Sequence, residues 1–248
     1  MDSEKTLVAL EDAATVVLLR DTPEGLKVLM LERPTQRGSF AGAWVFPGGK
    51  VDPGDRVDGG DVAAARTAGV REVAEETGQI LEEGTLAPLS MWLPMRALPR
   101  RFRTWFFLAG AASAQVVLNP GEHGSYSWLT PGRALELHAA GDMLLVPPTW
   151  VTLHHLRPFE SVDDALQAAR NHEAVKYLSY LLPDNSNGAL TGPRTAGGGG
   201  IAVWAGDEAY PGGGDSAPAG GRHRLTMAAL PWVYERTEAS VPRAATAQ

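Results

Sequence analysis

Glu72, Glu75 and Glu76 are the residues of this 248-residue chain whose type and spacing best suit chemistry. A helix turns once in about 3.6 residues, so positions i, i+3 and i+4 share one face and bring the three carboxylates together. Val70, Val73, Ala74 and Thr77 fall on roughly the opposite arc, which is the side that packs. Clustered carboxylates repel one another unless a cation neutralises them. Mg2+ and Mn2+ prefer such oxygens together with those of water and phosphate. The implied chemistry is a divalent-metal site for a phosphorylated substrate. An acidic helix face is ordinarily just solvated surface. Two neighbours argue against that reading: the Gly48-Gly49 turn after a short apolar run, and Arg71, four residues before Glu75 and within reach to hold a ligand carboxylate.

Gly49 and the run Arg71-Glu72-Val73-Ala74-Glu75-Glu76-Thr77-Gly78 resemble the box of the Nudix hydrolases, G-x5-E-x7-R-E-U-x-E-E-x-G-U, where U is a bulky aliphatic residue. Three positions depart from it. The first Glu is replaced by Asp55 or Asp61. Fifteen residues separate Asp55 from Arg71 where the family has seven, and the last aliphatic position is Gln79, followed by Ile80. The eight extra residues, around Arg56 to Asp61, read as a loop inserted before the helix, with Asp58-Gly59 as a turn and Asp61 as an N-cap. A split box preceded by an Arg-led segment and Phe46-Pro47-Gly48-Gly49 is similar to the subgroup related to mammalian acyl-coenzyme A diphosphatases. That similarity continues through Arg100–Phe107 and Pro231–Arg236.

The resemblance implies an α/β/α sandwich with a mixed sheet. It also implies metal ligation by Glu72, Glu75 and Glu76 with a carbonyl near Gly48 or Gly49, catalytic work by Glu75 and Glu76, and Mg2+ or Mn2+ as cofactor. In several family members a Glu from a loop outside the box adds a ligand or the base. Glu122 is the candidate here, with a solvated turn residue as the alternative. Arg33, Arg37, Arg100, Arg101 and Arg103 are candidates to fork phosphate oxygens. His154 and His155 are adjacent on a helix and diverge by about 100°, which suits packing or surface roles better than a shared metal.

The formal charge of −7 argues against nonspecific nucleic-acid binding. Absence of cysteine excludes disulfides, a thiolate nucleophile and thiolate metal sites. No apolar run is long enough to cross a membrane, and the acidic N-terminal stretch has no signal-peptide pattern, so the expected setting is cytoplasmic.

The elements needed to position the site are legible as apolar runs. Ala14–Leu19 and Leu26–Leu31 predict a hairpin, Ala43–Phe46 a short strand, and Asp61–Thr77 the box helix. Leu86–Leu93, Thr104–Ala109 and Ser125–Leu129 predict strands. Pro131–Ala139, Pro148–Leu156 and Val162–Leu182 predict helices. The stretch 188–221 holds twelve of the chain's 28 glycines and reads as flexible loop. Arg224–Arg236 then regains strand character. The division expected is a Nudix domain with C-terminal helices over 1–182, and a Gly-rich loop and tail over 183–248 that packs back on it.

The leading expectation is a metal-dependent diphosphatase acting on a small nucleoside diphosphate linked to another group, coenzyme A or acyl-coenzyme A favoured. Attack by water would release 3′,5′-ADP and a phosphopantetheine product. ADP-ribose or a dinucleotide is the enzymatic alternative, and a non-hydrolytic nucleotide sensor the alternative of another class. A homodimer is a family-level expectation.

Overall fold

The computed structural model describes residues 10–34, 41–56, 60–94, 101–119, 121, 123–182, 200–211 and 219–237. Arg37, Arg100, Glu122 and the turn at 57–59 lie outside the described residues.

Strand β1 (Leu10–Thr22) forms the predicted hairpin with β2 (Gly25–Glu32), antiparallel and closed at Thr22↔Gly25. Gly25 takes φ 103° there, a left-handed conformation that glycine adopts without a Cβ penalty. Alternation along these strands sorts the core into two layers. Val17, Leu19, Val28 and Met30 face one side of the sheet; Ala14, Val16, Leu18, Leu29 and Leu31 face the other.

The sheet continues through β3 (Ala43–Val45), β4 (Gly48–Lys50), β5 (Ala87–Leu93), β6 (Arg101–Gly110), β7 (Ser125–Leu129), β8 (Leu144–Leu145) and β9 (Val175–Leu178). Its order is β8-β3-β2-β1-β6-β5-β9, with β4 also on β1 and β7 also on β2. The pairs β1–β6, β3–β8 and β5–β9 are parallel and the rest antiparallel, so the sheet is mixed.

Helix α1 (Gly60–Thr77) lays Ala65, Ala68 and Val73 on the second layer, where Val16 would stand 2.9 Å from any Cβ added at Gly69. Helices α2 (Pro131–Ala140), α3 (Pro147–Leu156) and α4 (Val162–Asn171) cover the first layer. The result is the expected α/β/α sandwich.

Three expectations need correction. The first concerns Pro47-Gly48-Gly49, read as a turn. Gly48 and Gly49 belong to β4, which pairs antiparallel with β1 at Thr15↔Gly48 and Ala14↔Gly49. The box helix itself starts at Gly60, one residue from the expected Asp61. The second is the helix expected over Val162–Leu182. It starts as predicted, with Ser161 accepting the Asp164 N–H, but stops at Asn171, and His172 is already extended. Val175 to Leu178 pair with the edge of β5, and Tyr177 stacks on Trp92 at 4.0 Å and 9°. Edge pairing and aromatic packing there override helical periodicity.

The third is the Gly-rich stretch. Its described part contains β11 (Ile201–Val203), which lies between β10 (Tyr180–Leu182) and β12 (His223–Thr226), followed by β13 (Val233–Arg236). Trp204 and Asp207 are fully buried. Averaged composition hid the apolar run Ile201-Ala202-Val203-Trp204, which is what this small sheet buries. Trp204 and Trp232 join the same core cluster as Trp92, Trp150 and Tyr177.

Candidate active site

Strand β4 brings backbone against carboxylate at Gly48 and Gly49. A Cβ at Gly48 would lie 2.2 Å from the Ala14 carbonyl oxygen, and one at Gly49 would lie 2.2 Å from Glu72 Oε1. At Gly48 the obstacle is β1 backbone, so glycine is what lets β4 close on β1, while at Gly49 it leaves room for the Glu72 carboxylate. Glu76 is buried beneath the strand, its Oε2 accepting the Gly48 N–H at 2.9 Å.

Arg71 organises the remaining acids. Its Nε and one terminal nitrogen fork Asp55 at 3.1 and 2.9 Å, and that terminal nitrogen also donates to the Lys50 carbonyl at 3.0 Å. The other donates to Glu72 at 2.9 Å and Glu75 at 3.3 Å. Of the two acids the sequence left open for the first box position, Asp55 is the one bound to Arg71. Asp61 instead meets Arg103, which also binds buried Asp12 at 2.7 Å, and Arg56 joins Asp12 from the other side at 2.7 Å. The Arg103 guanidinium is therefore engaged in ties between β1, β6 and the start of α1. Arg33 is exposed, and Arg101 is partly buried with an Nε that has no partner among the described residues.

Burial holds the Glu72 carboxyl above the usual carboxylate range; the Arg71 hydrogen bond opposes this, and the charges of Glu76 and Glu75 push the same way as burial. Hydrogen bonding to Arg71 holds Asp55 below its ordinary value of 3.8, with burial opposing and the Asp52 N–H assisting.

A depressed carboxyl stabilises the fold fully above its unfolded pKa, and the contribution disappears as pH falls through the folded value. Replacing Asp55 with Asn should cost about 2 kcal/mol near neutrality, the scale of hydrogen bonds to a charged group. Urea unfolding of both proteins across pH should show that gap flat above about pH 5 and closing below the unfolded value. A gap that persists unchanged at the acid end would deny Asp55 its charge role.

Among the described residues no three acidic or histidine side chains already converge in coordination geometry. The donors nonetheless fit a hard divalent cation. Three carboxylates share one helix face, and Glu72 lies close against Gly49; burial, with a smaller push from Glu76 and Glu75, raises its proton affinity.

His154 and His155 are packing residues. His154 stacks on Trp150, and His155 faces Tyr177, its Nε2 3.3 Å from the phenol oxygen; burial, then the charges of its neighbours, push His155 down to about 4.

The residue that sequence reasoning passed over is His123. It follows Glu122, which lies outside the described residues, and it reaches the box with Nε2 2.8 Å from Glu76 Oε1. The available signal was the position of the Asn119–His123 turn just before β7, which marks this loop as one that returns to the box.

The NUDIX domain family matches residues 9–147, more than half the chain, and the chain belongs to that family. The class is that of the pyrophosphohydrolases. A NUDIX hydrolase from Alicyclobacillus acidocaldarius is similar over 65% of this chain and 97% of its own, with 21% identity and a TM-score of 0.59. That likeness shows the shared fold. The NUDIX domain of Shewanella oneidensis NrtR, solved with ADP ribose, covers 63% of this chain and 92% of its own at 18% identity and a TM-score of 0.48. A C. elegans Ap4A hydrolase covers 64% and 98% at 18% identity and a TM-score of 0.41. No curated protein matches the chain. Among the described residues no helix is long and apolar enough to cross a membrane.

Proposed function

We propose that this enzyme hydrolyses the diphosphate of a nucleoside diphosphate joined to another group, with coenzyme A or acyl-coenzyme A as the favoured substrate class. The observation that carries the reading is the face of Glu72, Glu75 and Glu76, closed against Gly48 and Gly49 of β4 and braced through Arg71 by Asp55. Support for coenzyme A comes from the insertion that splits the box and the Phe46-Pro47-Gly48-Gly49 segment before it.

Glu72, Glu75 and Glu76, with the Gly49 carbonyl, would hold Mg2+ or Mn2+. When bound, that cation offsets the charge of the diphosphate oxygens and favours attack by water. The protein's own part is to fix the acids. Arg71 holds Glu72 and Glu75 while Asp55 and the Lys50 carbonyl hold Arg71, and Gly48 orients Glu76. Of the candidate arginines among the described residues, Arg33 and Arg101 are the proposed phosphate contacts, because Arg103 is committed to salt bridges with Asp12 and Asp61. Arg103 would act through Asp12 and Asp61 instead of touching substrate.

Two measurements test this. A screen of coenzyme A, acyl-coenzyme A, ADP-ribose and dinucleotides with Mg2+ or Mn2+ should release 3′,5′-ADP and a phosphopantetheine product from the first two. Release of products from ADP-ribose or dinucleotides alone would overturn the substrate class. Tight nucleotide binding without turnover of any would favour a sensor. Chelation should abolish hydrolysis, and restoring the cation should raise the thermal midpoint, because a ligand that binds only the native state stabilises it. Full turnover after rigorous metal removal would overturn the metal site.

A further inference from the structure

We infer that His123 is a positioning residue for Glu76, fixing the carboxylate from the side opposite Gly48 so that it is set for a divalent cation; this rests on the box being the metal site. Glu76 is held at both oxygens, by the Gly48 N–H on Oε2 at 2.9 Å and by His123 Nε2 on Oε1 at 2.8 Å. An ionised carboxylate only accepts hydrogen bonds, so the imidazole must present Nε2–H to it. That leaves Nδ1 buried and without a partner among the described residues. An apolar side chain would fill this buried position without an unsatisfied nitrogen. Packing alone therefore does not account for a histidine here, whereas a donor aimed at Glu76 does.

The backbone delivers the ring to this place. After β6 the chain docks on the C-terminal end of α1, where Val117 N–H donates to the Thr77 carbonyl at 2.9 Å and Asn119 N–H to that of Glu76 at 3.4 Å. Gln79 accepts from the Ala112 and Ser113 N–H groups at 2.9 and 3.3 Å. Beyond the histidine, Gly124 N–H donates to the Glu32 carbonyl at 3.0 Å, and the Ser125 hydroxyl to the Glu32 carboxylate at 2.6 Å. His123 thus sits between two anchored points, one on the box helix and one on β2. These ties use helix-terminal carbonyls that would otherwise lack partners, so docking the loop and placing the ring are one event.

Three substitutions separate donation from packing. His123→Gln places an amide N–H near the original Nε2. His123→Asn keeps an amide too short to reach Glu76, and His123→Met keeps the reach without a donor. Mn2+ affinity of the full chain is read by electron paramagnetic resonance of the free ion, with kcat and KM measured alongside. Loss of a group that orients a metal ligand typically weakens affinity about 10- to 100-fold. Asn and Met should fall in that range with kcat reduced and KM little changed, while Gln should stay within about threefold of the wild type.

A folded Asn or Met variant that binds Mn2+ like the wild type overturns the positioning role, as does a Gln variant no better than both. If neither Asn nor Met folds, the role is structural and the inference falls. A wild type that binds no Mn2+ overturns the metal-site reading itself, which is a distinguishable result.

Discussion

Glu76→Gln should lower turnover by roughly two orders of magnitude or more while leaving the protein folded, an effect of ~2.7 kcal/mol at the transition state. The side chain keeps its volume and loses the charge that would hold the cation. Its surroundings explain why the fold should survive. The amide oxygen can take over acceptance from the Gly48 N–H, and the amide nitrogen then faces His123. Imidazole can answer by moving its hydrogen to Nδ1 and presenting a bare Nε2. The substitution therefore need not leave two donors pointing at each other inside a buried site. Steady-state hydrolysis at saturating Mg2+, with thermal unfolding as the control, checks it. A folded variant with wild-type turnover would remove Glu76 from the metal site.

Trp204→Ala should cost about 3–5 kcal/mol of stability, the range for truncating a large aromatic in a packed core. The indole is fully buried, its Nε1–H donates to the Ser179 hydroxyl at 2.9 Å, and it meets Tyr177 at 5.3 Å and Trp92 at 5.8 Å between ring centroids. Tyr177 belongs to the edge strand of the main sheet, so the loss is felt there as well as in the β10–β13 sheet. Denaturant unfolding, read at its midpoint and slope, gives the value. A cost below about 1 kcal/mol, the centre of ordinary substitutions, would make the C-terminal sheet an appendage and not part of the core.

The sequence revealed those parts of the fold whose signal is local. The β1–β2 hairpin, the box helix and α2 each announce themselves through alternation, helical spacing or a Pro at the helix start. The carboxylate face follows from three glutamates and a helical period. What escaped depends on contacts distant in sequence. Val175–Leu178 became a strand because the β5 edge was open beside it, which no window around those residues contains. Ile201–Trp204 was diluted by surrounding glycines. Asp55 and Asp61 are equivalent as acids before the helix and separate only when Arg71 and Arg103 are placed. His123 was obscured by its neighbour, since a glutamate fits expectations for hydrolase chemistry more readily than a histidine whose purpose is to hold another acid.

The double anchoring of α1 carries an entropic consequence. At its start Asp61 is tied to Arg103, and at its end the carbonyls of Glu76 and Thr77 are taken by the docked loop. Freezing a glutamate side chain costs up to about 2 kcal/mol of rotamer freedom. Here Glu72 and Glu76 are already confined, by Arg71 and by Gly48 with His123. That ordering belongs to folding, so the cation proposed to bind there would have less disorder left to remove, and more of its attraction to the carboxylates would be retained as affinity.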